Sequence, residues 1–71
     1  MSSLYEDIKA AGIEIDHHES DLYFPVTLES REILRKSGRA HTMFRSAIDG
    51  SLWFDCPFAY DPWWIEQTGR P

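Results

Sequence analysis

Apolar positions three and four residues apart predict two helices in the first half of this 71-residue chain. The first helix begins at Ser3, which together with Glu6 fits a capping box, and it ends at Gly12. The second begins at Thr27, a residue type that is typical of the N-cap, and it ends at Gly38. The side chains of the second helix that are expected to face the core are Leu28, Ile33 and Leu34.

Alternation of apolar and polar residues predicts two β-hairpins. The first hairpin pairs residues 13–17 with residues 22–26 and turns at residues 19–21. The second runs from about His41 to Pro57. Its turn is placed at Asp49-Gly50, because both positions of a two-residue type I′ turn need a positive φ.

The turn of the second hairpin also sets its predicted register, in which Ile48 pairs with Ser51. This register places Phe44 and Trp53 on one face of the hairpin. The opposite face carries Met43, Leu52, Phe54 and Cys56 and is the better candidate for the core.

A third, short helix is predicted from Asp61 as N-cap and Pro62 at its first position to Gly69. We expect this helix to fold back so that one of its tryptophans covers Trp53. The whole chain, residues 1–71, is then a single α+β domain. It has a small antiparallel sheet made of two hairpins, two helices and a short C-terminal helix.

Aromatic residues are dense in this chain: there are ten, and six of them lie between residues 51 and 65. A domain of this size must offset on the order of 100 kcal/mol of conformational entropy, which at about 25 cal/mol per Å² requires roughly 4,000 Å² of buried apolar surface. Ten rings of about 150–250 Å² each supply up to half of that area. Most of the rings are therefore expected in the core, and the rest on a partner-binding surface. The residues assigned to that surface are Phe44, Trp53, Asp55, Tyr60, Asp61, Trp63 and Trp64.

The net charge of −5 is unevenly distributed. Residues 1–29 hold seven acids and one base, whereas residues 30–45 hold five bases and one acid. An acidic average disfavours general affinity for nucleic acid. It is typical of a small soluble protein, and it also suits binding to a basic surface on another protein. The alternative is binding of single-stranded nucleic acid by the basic segment 31–45, beside Phe44 and Trp53. The basic side chains of that alternative are Arg31, Arg35, Arg39 and Arg45.

The sequence contains no complete catalytic, nucleotide-binding or zinc-binding motif, so neither enzymatic activity nor a cofactor is predicted. Residues 16–21 offer another alternative, a metal-binding module in which His17 and Glu19 share one face of a strand and His18 lies on the other. Cys56 with His41 is the available nucleophile–base pair. However, Cys56 is expected to face the core, where a thiol is inert.

The chain has one cysteine and no apolar run of membrane-spanning length. Its N-terminal residues lack the basic-then-apolar pattern of a signal peptide. These features predict a protein of the reducing cytoplasm without a membrane partner.

Two segments, residues 20–26 and residues 48–63, resemble parts of short uncharacterised proteins encoded by bacteriophages and mobile elements. Together they cover about a third of the chain. The resemblance implies a small accessory protein that binds a host factor in the host cytoplasm. The expected function is therefore a small acidic, non-enzymatic protein-binding module, with self-association as one form that the binding can take.

Overall fold

A computed structural model describes residues 3–69, which form three helices and one four-stranded sheet. The elements follow the predicted order, which confirms the α+β class and the antiparallel sheet. Their bounds are α1 Leu4–Ala10, β1 Asp16–His18, β2 Asp21–Pro25, α2 Leu28–Ser37, β3 Thr42–Arg45, β4 Leu52–Pro57 and α3 Pro62–Thr68. Within residues 3–69, no helix has the length and apolar character needed to cross a bilayer.

The helix termini follow from local side-chain chemistry. The Ser3 hydroxyl accepts a hydrogen bond from the Glu6 N–H at the start of α1. At the start of α2, Thr27 and Ser30 form a reciprocal capping box in which each side chain accepts from the backbone N–H of the other residue. Gly38 ends α2 with φ of 67°, a left-handed conformation that glycine adopts without steric cost. The predicted limits of α2 are therefore confirmed.

The strands lie in the order β1-β2-β4-β3, and all neighbours are antiparallel. The two hairpins are joined through β2 and β4, which places β3 at one edge and β1 at the other. Leu22 and Phe24 of β2 point to the same side of the sheet as Phe54 and Cys56 of β4. These four residues form the core together with side chains from α1 and α2. We call this the helix side of the sheet.

The prediction that Leu28 faces the core is wrong. Its side chain is 86% exposed, whereas Ser30 is fully buried and Leu34 nearly so. Ser30 is accommodated because its hydroxyl donates to the carbonyl of Pro25 at 2.7 Å and accepts from the Thr27 N–H. The capping box therefore rotates the first turn of α2 so that a hydroxyl, and not Leu28, points inward.

The second hairpin is confirmed, but its predicted turn and register are wrong. Arg45 pairs with Leu52, which shifts the register by two residues from the predicted one. The turn is longer because Gly50 donates its N–H to the carbonyl of Ser46 at 2.9 Å, and Gly50 is the residue of this turn that has a positive φ. A shift of two residues leaves every side chain on its predicted face.

The first hairpin is also confirmed, although β1 begins at Asp16 and not at residue 13. Its turn is made by Glu19 and Ser20, with Glu19 at φ of 55°. Ile13 and Ile15 precede the strand and pack against the core from an irregular segment. The alternation of apolar residues there reflects burial without strand pairing.

Candidate functional site

The face of the sheet opposite the helix side carries the aromatic residues that the core does not use. Trp53 pairs with Phe44 on one side and with Pro25 on the other, so these three lie in one row across the sheet. A second row contains Tyr23 between Asp16 and Asp55. We call this surface the open face, and it consists of Tyr23, Phe44 and Trp53 with Asp16, Asp21 and Asp55.

The rings of the open face form a shallow cleft. The rings of Tyr23 and Phe44 meet edge to face, with 5.5 Å between their centroids. The Trp53 indole N–H donates to the Ser51 hydroxyl at 2.9 Å, which fixes the ring beside the hairpin turn. Ile48, which is 97% exposed, completes a cleft of about 430 Å³ against Trp53. The cleft is apolar in its floor and open to solvent.

Three acids lie around these rings, Asp16, Asp21 and Asp55. Asp16, Asp21 and Asp55 form no ion pair within residues 3–69. The Oδ1 atom of Asp55 is buried and has no hydrogen-bond partner in that part of the chain. Burial raises the pKa of Asp55, and the negative charge of Asp21 raises it further. An incoming donor or cation would therefore relieve an unfavourable environment.

The pKa of Tyr23 responds to the same surroundings. It is raised first by burial and then by the negative charges of Asp55, Asp21 and Asp16. The open face therefore combines aromatic surface with an uncompensated negative potential, which is the complement of a basic and apolar partner.

Trp63 and Trp64, which were predicted to belong to the binding surface, lie on the helix side. Trp63 stacks on Tyr5 with 3.7 Å between the ring centroids, and Trp64 lies 5.2 Å from the ring of Phe58. The expectation that α3 covers Trp53 is wrong, because Trp63 packs on Tyr5 of α1 and Trp64 packs on Phe58. Tyr60 is 83% exposed in the loop before α3 and contacts none of the rings of the open face.

Asp61 is the predicted site residue that the structure places furthest from a surface. Its carboxylate is fully buried. It accepts hydrogen bonds from the Ser3 hydroxyl at 2.6 Å, the Leu4 N–H at 2.8 Å and the Arg39 guanidinium at 2.8 Å. Asp61 therefore does not contribute to a polar rim. It joins the N-terminus of α1 to the start of α3 and to the segment that follows α2.

The arginines of the nucleic-acid alternative do not converge with the aromatic rings. Arg39 is bound to buried Asp61, and Arg45 donates to the carbonyl of Gly50 at 2.6 Å. Arg31 and Arg35 lie on α2, on the helix side of the sheet, whereas Phe44 and Trp53 lie on the open face. The expected basic and aromatic platform is not assembled.

The metal-binding alternative also lacks its predicted geometry. Glu19 lies in the turn of the first hairpin and not beside His17 on a strand. The His17 ring packs near Trp63, with 5.7 Å between the centroids. Across residues 3–69, no three His, Cys, Asp or Glu side chains come together as a metal site requires.

Cys56 is buried on the helix side, as predicted. Burial is the main cause that raises its pKa, to about 11. The thiol lies 3.5 Å from the carbonyl of Ala40, and the His41 ring packs against Phe54. A thiol with this pKa is protonated at neutral pH and is a poor nucleophile.

Sequence reasoning missed three members of the open face, Asp16, Asp21 and Tyr23. The alternation of Asp21 and Tyr23 with Leu22 and Phe24 assigns these two to the face opposite the core, but it does not show that Asp16 joins them or that the face continues into β4. The pairing of β2 with β4 supplies that information. Comparisons of the chain with protein families, with curated proteins and with solved structures gave no match.

Proposed function

We propose that this chain is a non-enzymatic protein-binding module whose open face docks on a basic segment of another protein. The observation that carries the proposal is the combination, on one face of the sheet, of three aromatic rings with three acids that form no ion pair within residues 3–69. A lysine or arginine of a partner can stack on Tyr23 or Trp53 while it pairs with Asp55.

Self-association through the open face is the less favourable form of this binding. Two copies placed face to face would bring Asp16, Asp21 and Asp55 of one against the same acids of the other. Like charges at an interface are destabilising, so the two copies would repel each other. A partner of opposite charge gains from the same arrangement.

The resemblance of residues 20–26 and 48–63 to phage and mobile-element proteins supports a host protein in the host cytoplasm as the partner. Both segments contribute to the open face: the first contains Tyr23, and the second contains Trp53 and Asp55. The partner would present arginine or lysine side chains next to apolar ones. Its identity is the object of the following experiment.

The experiment begins with affinity capture from host extract by the wild-type chain and continues with titration of the purified partner. We expect Trp53→Ala and Phe44→Ala to weaken binding by about 2 kcal/mol, or roughly 30-fold in Kd, as for buried aromatic anchors. Asp55→Asn should weaken binding and reduce its dependence on salt. Tyr60→Ala is the matched control, since this exposed ring lies outside the open face.

Circular dichroism must show that each variant is folded. If folded Trp53→Ala and Phe44→Ala bind the captured protein as tightly as wild type, the open face is not the docking surface. If Tyr60→Ala weakens binding as much as they do, the surface lies near α3 and the proposal is equally wrong.

A further inference from the structure

A second exposed apolar surface lies on the helix side of the sheet, between α2 and the β3–β4 hairpin. This basic groove has a floor of Leu28, Met43 and Leu52 and a rim that includes Arg31 and Arg35, and its volume is about 660 Å³. Met43 is 59% exposed and Leu52 is 40% exposed. The groove and the open face are on opposite sides of the hairpin, because Met43 and Phe44 are neighbours in one strand.

The groove exists because the helices do not extend over the edge of the sheet. All four residues of β3 are exposed, and the strand is supported by β4 alone. Leu28, Arg31, Glu32 and Arg35 have the spacing of one helix face. That face of α2 borders the groove, Leu34 lies at its inner end, and Ser30 is buried in the core. Among residues 3–69, no side chain fills the space between this helix face and β3.

The charge of the groove is opposite in sign to that of the open face. Arg35 pairs with Glu32 at 2.6 Å, but its side chain remains 69% exposed. Arg31 has no ion pair within residues 3–69. The rim therefore carries an excess of positive charge in a chain whose net charge is −5.

We propose that the basic groove binds an acidic amphipathic helix of a partner protein. Aliphatic side chains of that helix would pack on Leu28, Met43 and Leu52, and its carboxylates would pair with Arg31 and Arg35. The groove meets the two requirements of this mode of recognition, an apolar floor and a rim of complementary charge. Since it lies opposite the open face, both partners can bind at the same time.

Two other occupants fit the groove less well. Single-stranded nucleic acid needs exposed rings on which bases stack, and of the two rings that line the groove Phe54 is buried, which leaves His41. A second copy of this chain would offer α1, which carries Glu6 and Asp7, but the apolar residues of α1, Leu4 and Ile8, are buried in its own core. α3 of a second copy has a single acid, Glu66, and its Trp63 is stacked on Tyr5, so we assign the acidic helix to another protein.

The test uses the full chain, labelled with ¹⁵N and with ¹³C-methyl groups, and a synthetic helical peptide of about 14 residues with leucine at every third or fourth position and glutamate elsewhere. We expect the methyl resonances of Leu28, Met43 and Leu52 to shift on titration. Binding should weaken about tenfold in Arg31→Glu and several-fold in Leu28→Ser. Leu28 is too exposed for this substitution to unfold the chain, and circular dichroism verifies the fold of both variants.

Lys9→Glu is the matched charge reversal, because Lys9 is exposed on α1. It should leave the affinity for the peptide within about twofold of wild type, as should Trp53→Ala on the open face. Retained peptide binding by Trp53→Ala would show that this proposal does not depend on the function proposed for the open face.

Four results would overturn the inference. The first two are no shift of the groove methyl resonances at about 1 mM peptide and an equal loss of binding in Lys9→Glu and Arg31→Glu. The other two are equal binding of a peptide with lysine in place of glutamate, and tighter binding of an oligothymidylate strand that depends on Arg31. The last of these would assign the groove to nucleic acid.

Discussion

Asp61 is the residue whose replacement should most disturb the fold, although its position in the sequence indicates only the cap of a short helix. Its carboxylate accepts three hydrogen bonds that join α1, α3 and Arg39, and it is fully buried. We expect Asp61→Ala to cost about 3–5 kcal/mol, because it leaves buried donors and a cation without their partner. The side chain of Arg39 is 24% exposed, so water offsets part of that loss.

The conservative replacement Asp61→Asn separates charge from shape. With the amide oxygen in the place of Oδ1, the Leu4 N–H and Arg39 keep their acceptor, whereas the Ser3 hydroxyl loses its acceptor and Arg39 loses its counter-charge, so the expected cost falls to about 2–3 kcal/mol. A chain of 71 residues has a total stability of roughly 4–11 kcal/mol. Asp61→Asn should therefore remain folded in water, whereas Asp61→Ala is expected to unfold in part if the total stability is near the lower end of this range.

Urea unfolding followed by tryptophan fluorescence and by circular dichroism measures these differences. With a slope of about 1 kcal/mol per molar urea, Asp61→Asn should lower the midpoint by about 2 M. Asp7→Asn is the matched control, since Asp7 is an exposed acid in the first turn of α1 and its loss should cost no more than about 0.5 kcal/mol. A double-mutant cycle with Arg39→Gln isolates the pairwise part of the energy.

The reasoning is refuted if Asp61→Asn unfolds within about 0.5 kcal/mol of wild type with an unchanged slope. That outcome would mean that the charge of Asp61 and its hydrogen bond from the Ser3 hydroxyl contribute little to stability. An additive double-mutant cycle would refute the contribution of the ion pair with Arg39 and leave the two bonds to α1 as the source of stability.

Three further predictions concern other buried and exposed groups. Because folding raises the pKa of Asp55, the contribution of this carboxyl group to stability is greatest below its ordinary pKa and falls as the pH rises. Asp55→Asn should therefore match or exceed the Tm of wild type at about pH 7, and the difference in Tm should close by about pH 3. A variant that is less stable than wild type at neutral pH would contradict this. With a pKa of about 11, Cys56 should resist thiol reagents in the native chain at about pH 8 and react on addition of urea, whereas rapid native labelling would contradict its burial. In urea unfolding, Leu34→Ala should cost about 2–5 kcal/mol and Leu28→Ala less than about 0.5 kcal/mol, and equal costs would show that the orientation of α2 is different.

The helices and hairpins could be predicted from the sequence because their signals are local. A capping serine or threonine, a glycine after the last turn and an alternating strand all act within a few residues. The same locality explains the errors. Leu28 was assigned to the core because leucine is apolar, but the capping box formed by Thr27 and Ser30 turns it toward solvent. Two-residue turn statistics also could not show that the loop after β3 is longer.

Part of the open face was predictable for a similar reason. Alternation places Phe44, Trp53 and Asp55 on one face of the second hairpin, and the two-residue error in register did not change that assignment. Trp63 and Asp61 were misplaced because the residues that they contact, Tyr5 and Ser3, lie at the other end of the chain. No local pattern records such pairings.

The sequence by itself determined which residues become neighbours along each strand and helix, since that depends on backbone geometry with a period of two or of 3.6 residues. Only the tertiary structure decided which side of the sheet the helices cover. Both sides carry aromatic residues, Phe24 and Phe54 on one and Tyr23 and Trp53 on the other. The choice between them rests on the total apolar area that the helices bury, which is a property of the whole chain. That choice leaves Tyr23 and Trp53 uncovered and creates the open face.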